Sequence, residues 1–169
     1  NIWNEITNAG FKSLLEDRKG SKLSSGGDTE ICCVFRLAGY KIYFSPLLLF
    51  YHCIPKNRIN WNYVKKLNYS FGMSKVIIDI YENCIISDIN PKDNIKLPLW
   101  IDKMIHLYKS HIIFKKNNNI NDFEGNFNFL QYLGQKGEIR CIFKLKSKYA
   151  KYYDQVLKLK KKLNQSNHK

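Results

Sequence analysis

Apolar residues recur along this chain mostly with a helical period. Ile31, Val34, Phe35 and Ala38 step by three and four, which predicts a helix beginning at Asp28 or just before it. Ser25 and Asp28 stand in capping-box spacing, Asp28 is itself a good N-cap residue, and Gly39 follows as the residue that ends the helix. A longer helix is predicted from about Asn60, with Val64, Leu67, Phe71, Ile78, Tyr81 and Ile85 on one face and Gly72 weakening its middle. Ile101, Ile105, Tyr108 and Ile112 mark a helix over residues 99–114. Phe123, Phe127 and Leu130 mark a short one, ended by Gly134 and Gly137. The last segment is the most regular: Leu145, Tyr149, Tyr152, Val156, Leu159 and Leu163 form a stripe of alternating four- and three-residue steps, with lysines off it. Near the start, Phe11, Leu14 and Leu15 also have helical spacing.

Between the first two helices the pattern changes. Residues 40–44 are β-branched and aromatic and read as a strand that Pro46 breaks; residues 47–52 read as a second, buried strand, closed by a turn at Ile54-Pro55. Residues 21–27 form a Ser/Gly-rich loop, and residues 88–94, with Pro91, form another. There is no repeat at solenoid period. The expected organisation is an α/β unit over residues 1–59, a helical extension over 60–138 and a basic amphipathic helix over 139–169.

Charge changes this picture at one end. The 169 residues carry a formal net charge of +14, and residues 139–169 hold ten Lys/Arg against the single Asp154. A lysine-flanked apolar stripe suits an amphipathic helix lying on an anionic membrane surface, and suits intramolecular packing or dimerisation equally well. A basic, non-enzymatic module binding membrane or nucleic acid is the alternative class. Against nucleic acid, the aromatic residues fall on apolar faces, and no helix-turn-helix, zinc-finger or RNA-recognition signature is present. No apolar run reaches membrane-spanning length. Five cysteines, an odd number without a Cys-x-x-Cys pair, fit a reducing cytoplasm better than a disulfide scaffold. Neighbouring side chains diverge on a helix or strand, which opposes a zinc site built from Cys32, Cys33, His52 and Cys53.

The candidate chemistry lies between Ser24 and Arg58. A carboxylate at a helix start is stabilised as the anion, and an ionised Asp28 beside a glycine-rich loop can accept a proton from a hydroxyl. Glu30 reads as a first-turn partner of the helix dipole. His52, after an apolar run, is a candidate metal or phosphate contact, and the Arg58 fork suits diphosphate oxygens. Each also has a structural reading: a cap, a satisfied core histidine, a solvated arginine.

Ser24-Ser25-Gly26-Gly27-Asp28-Thr29-Glu30, Arg36-Leu37-Ala38-Gly39-Tyr40-Lys41-Ile42-Tyr43 and His52-Cys53-Ile54-Pro55-Lys56-Asn57-Arg58-Ile59-Asn60-Trp61 together resemble the C-terminal half of a family 2 glycosyltransferase, of the bacterial surface-polysaccharide kind. The similarity covers residues 9–72 best. It implies the C-terminal part of a GT-A, Rossmann-like domain with a few short strands, followed by a mostly helical extension. It implies inverting transfer of a sugar from a nucleotide-diphosphate donor to a hydroxyl of a glycan or lipid-linked acceptor. Asp28 matches the family's catalytic base, with Gly27 standing where many members have Glu. Gly26, Gly27, Arg58 and Trp61 match substrate-contacting positions, and His52 matches a position that contacts the metal or the diphosphate. Arg58 and Trp61 are similar to the Arg-Trp of processive members, but Pro55 occupies the Gln position of that motif, so processivity is not implied. A divalent cation, Mg or Mn, is implied as well, held mainly by a donor-side region and an Asp-x-Asp that lie upstream in the family and do not occur in these 169 residues. With Asn1 as first residue, the expectation is a fragment that is inactive alone. Its expected partners are the donor and acceptor, with no nucleic acid, and its expected location is the cytoplasm, peripheral on the inner face of the cell membrane.

Overall fold

Asn60 starts the longest element. Its backbone is extended and its side-chain oxygen accepts the Tyr63 N–H at 2.9 Å, satisfying one of the orphan amides of the first turn of α3 (Trp61–Ile86). The computed structural model describes residues 1–15, 26–87 and 100–166. Around α3 lie α1 (Ile2–Asn8), α2 (Gly27–Leu37), α4 (Trp100–Asn117), α5 (Phe127–Leu145) and α6 (Lys148–Ser166), with one 3-10 turn over Lys56–Arg58. α3 packs against α2, α5 and α6, α4 lies on α5, and α1 touches α6.

The α/β expectation is therefore corrected: the described residues form an all-helical protein without a strand. A strand needs a partner ladder for its backbone groups, and residues 41–54 have none. Their one backbone hydrogen bond among the described residues runs from Leu48 N–H to the Ser45 carbonyl at 3.2 Å. The side chains expected to be buried instead face water, with Phe44 92%, Leu47 89% and Phe50 86% exposed. An apolar run of this length in solvent is unfavourable, and in soluble proteins such patches mark surfaces that are covered by something else. The Ser24-Ser25 part of the glycine-rich loop and the loop expected over residues 88–94 lie outside the described residues.

The helices differ from expectation in how they face the core. α5 does not stop at Gly134 and Gly137 but runs through both, capped by the buried Asn126, whose Oδ1 accepts from Asn128 N–H at 3.0 Å. Those glycines are packing surface rather than helix breaks. A Cβ on Gly72 of α3 would overlap the carbonyl oxygen of Gly134, and one on Gly137 would overlap that of Tyr69. The two helices thus cross backbone to backbone, and glycine's poor helix propensity is the cost of that approach. At the C-terminal end α6 turns its stripe inward: Tyr149, Val156, Leu159 and Leu163 are buried, with Leu145 and Tyr152 packed against them. Its Lys160 closes α3, the Nζ donating to the carbonyls of Cys84 at 2.7 Å and Ser87 at 2.8 Å, where a cation also meets the negative end of the helix dipole. On α4 the expected stripe of Ile101, Ile105, Tyr108 and Ile112 is exposed. Leu107 is the buried residue, and Trp100 and Met104 pack on the core. Among the described residues no helix is long and apolar enough to cross a membrane.

These contacts give opposite signs for one substitution at neighbouring sites. Gly72→Ala and Gly137→Ala are expected to lose about 3 kcal/mol or more of unfolding free energy through overpacking against backbone. Gly134→Ala, whose Cβ would sit 3.7 Å from the Asn68 carbonyl, is expected to gain about 0.5–1 kcal/mol from helix propensity. Urea denaturation followed by far-UV circular dichroism measures all three.

Candidate functional site

α2 begins on glycine for a geometric reason. Its N-cap, Gly26, has φ +108°, a conformation that a side chain makes costly. Asp28 follows in the first turn, exposed, its Oδ1 accepting the Thr29 N–H at 2.8 Å. At the other end Gly39, at φ +86°, lets the chain turn away.

The helix is rotated relative to the face that its apolar residues suggest. Ile31 is exposed, and the inward positions are Glu30, Cys33, Val34 and Leu37. Glu30 is 1% exposed, yet its carboxylate is well satisfied. It accepts from the Leu14 N–H at 2.7 Å and the Tyr81 hydroxyl at 2.8 Å on one oxygen, and from the Ser13 hydroxyl and the Leu15 N–H on the other. A buried carboxylate is tolerable only with such a set of donors. Burial and the adjacent Glu30 push the Tyr81 hydroxyl well above its ordinary pKa, so it stays a donor. Glu30 thereby ties three parts of the chain together: the segment after α1, the first turn of α2 and the C-terminal part of α3. Asp28, two residues away, is held by that anchor on a helix end open to solvent.

Among the described residues no hydrogen bond or ion pair joins His52, Arg58 or Trp61 to Asp28, and His52 is exposed in the stretch between α2 and the 3-10 turn. Trp61 instead serves the fold. Its indole N–H donates to Asp122 Oδ1 at 2.7 Å while Lys65 Nζ donates to Oδ2 at 2.8 Å. These bonds pin the α4–α5 connection to α3 and hold the Asp122 carboxyl below its usual range, the Lys65 bond first and the Trp61 bond second. Gly26 and Gly27 remain with Asp28 as the turn and first residue of α2.

The divalent cation implied by the resemblance is expected to be held mainly by residues outside this chain, with His52 as the one contact expected within it. Among the described residues no three His, Cys, Asp or Glu side chains are grouped to hold a metal, and His52 lies on the unpaired stretch. Nor do the buried thiols offer a nucleophile: burial pushes Cys84 up to about 12 and Cys141 to about 11, so both are protonated at neutral pH.

Sequence reasoning missed Glu30 as an anchor. The signal available was a charged residue at the inward spacing of Val34 and Leu37, three to four residues apart. Comparison with protein-family models, curated proteins and solved structures gives no match.

Removing the anchor should be felt at a distance. Glu30→Ala is expected to destabilise the protein by about 3 kcal/mol, and Tyr81→Phe by about 1–2 kcal/mol, since each leaves buried polar partners unmet. Amide hydrogen exchange at Leu14 should accelerate in Glu30→Ala even under conditions where the protein remains folded.

Proposed function

We propose that this chain carries the acceptor-side, base-bearing part of a sugar-transferring enzyme, with the donor half-site supplied from outside these 169 residues. The observation that carries the reading is Asp28: an exposed carboxylate on the first turn of α2, entered through the left-handed Gly26 and steadied by the buried Glu30. The motif resemblance over residues 24–61 supports it independently of the helical architecture.

In this mechanism an acceptor hydroxyl meets Asp28 at the positive end of α2. The hydroxyl oxygen attacks the anomeric carbon of a nucleotide-diphosphate sugar as the bond from that carbon to the diphosphate oxygen breaks. The configuration inverts, the diphosphate leaves with the bonding electron pair, and Asp28 takes the hydroxyl proton. Asp28 Oδ1 is oriented by the Thr29 N–H that it accepts, and Glu30, which ties the start of α2 to its neighbours, does not touch substrate. The donor sugar is set elsewhere. The reading puts the protein in the cytoplasm, at the inner face of the membrane where a lipid-linked acceptor would be presented. The free cysteines and the lysine-rich flank of α6 support that location. With the apolar stripe of α6 buried, any membrane contact of that helix is electrostatic, through its lysines.

The test is Asp28→Asn in the full-length protein, assayed for sugar transfer with donor binding measured alongside. Loss of a general base is expected to lower kcat by about 10²- to 10⁴-fold with donor affinity unchanged. Undiminished turnover in Asp28→Asn would remove Asp28 from the mechanism and the reading with it.

A further inference from the structure

The stretch between α2 and the 3-10 turn presents its side chains to water in a particular order. Leu47, Leu48, Leu49 and Phe50 form its centre and are exposed, with Phe44 exposed just before them. Tyr43 and Tyr51 bracket this centre, and both are exposed. Cations stand outside the tyrosines: Lys41 on the entering side, Lys56 and Arg58 on the leaving side. Among the described residues none of these three cations is in an ion pair. Residues 31–78 contain no Asp or Glu. From either end the order is therefore cation, tyrosine, apolar centre.

The surface of an anionic bilayer has the same order in depth. Its headgroups attract the cations, amphipathic tyrosine rings settle at the boundary, and leucine and phenylalanine gain by leaving water. A groove on a protein partner has no depth axis that tyrosine and cation on both flanks would match. The backbone sets how far the stretch can enter. Leu48 N–H donates to the Ser45 carbonyl at 3.2 Å, and Pro46 between them has no N–H. Residues 41–54 make no other backbone-to-backbone bond among the described residues, and unpaired backbone facing lipid is excluded from hydrocarbon. The side chains can therefore reach the acyl boundary only with the backbone held among the hydrated headgroups. We infer that residues 43–51 are a membrane-docking loop, which inserts Leu47, Leu48, Leu49 and Phe50 shallowly into an anionic bilayer and sets Lys41, Lys56 and Arg58 against its headgroups. This contact is separate from Asp28 and from the lysines of α6. Lipid binding is read without sugar transfer, so it holds or fails independently of the glycosyl-transfer reading.

Co-sedimentation of the whole chain with vesicles tests the loop. Phosphatidylcholine vesicles that contain phosphatidylglycerol are expected to bind the chain more tightly than phosphatidylcholine alone. Leu48→Ser/Phe50→Ser is expected to weaken binding to the anionic vesicles at least about ten-fold, and Lys41→Glu/Lys56→Glu by at least about as much. Ile101→Ser/Ile105→Ser, which removes exposed apolar side chains from α4, should bind as wild type does. All the substituted side chains are exposed, and circular dichroism checks that each variant keeps its helices. A polarity-sensitive fluorophore on Cys53, in a Cys32→Ser background that leaves it the only exposed cysteine, should shift its emission to the blue when anionic vesicles are added. No binding by the wild type, binding undiminished in either loop variant, an equal loss in the α4 variant, or a label that does not shift overturns the proposal. Sedimentation velocity without lipid covers the remaining occupant: a dimer that Leu48→Ser/Phe50→Ser dissolves, in a chain that binds no vesicles, assigns the loop to a second copy and overturns it as well.

Discussion

The backbone contact between α3 and α5 sets the geometry of this protein. Helices with side chains at their crossing keep an interaxial distance of about 8–10 Å; glycines at 72 and 137 allow the backbones themselves to meet. Because α3 also carries α2 and α6, and α5 carries α4, that crossing fixes where every other long helix can lie. The inner half of α3 is accordingly buried on several sides, with Val76, Ile77, Ile80, Tyr81 and Cys84 all in the core. A one-sided stripe describes a helix at a surface, and this helix is at the centre.

Polar groups then secure what the glycines permit. Glu30 gathers donors from two loop amides, a serine and a tyrosine of α3. Lys160 reaches from α6 to the last carbonyls of α3, and Asp122 joins Trp61 and Lys65 to the connection before α5. Each is a long-range bond made by a charged residue to a helix or its flank. A charge with its full complement of partners favours one arrangement, most strongly where it is buried as at Glu30, since any slip leaves those partners unmet. The candidate base at Asp28 inherits its position from the first of these.

The parts of the fold that were legible in the sequence are those decided locally. Asn60 announces the start of α3, Gly39 the end of α2, and the stepped stripe from Tyr149 to Leu163 the inward face of α6. What was not legible depends on a neighbour. Gly134 and Gly137 carry a low helix propensity whether they end a helix or admit another one, and only the presence of α3 decides. Residues 40–52 have strand-like composition, but pairing requires a second strand that the described residues do not supply. Of the candidate site, Asp28 at a helix start was readable. The inward turn of Glu30 was not, because the gain from four donors, three on residues 13–15 and one on α3, outweighs the apolar pattern of Ile31 and Phe35.

The unpaired stretch after α2 has a consequence for how the chain can be cut. Proteases take their substrates as extended backbone, and most of this molecule is wound into helices that do not fit such a groove; residues 41–54 lie outside every helix and are exposed along nearly their whole length. A single nick there would separate α1 and α2 covalently from everything that follows. It would not separate them physically, because Glu30 remains bonded to Tyr81, α2 remains packed on α3, and α1 still touches α6. The nicked protein would run as two bands under denaturing conditions and as one species in solution, its two pieces held by a buried carboxylate and an apolar seam.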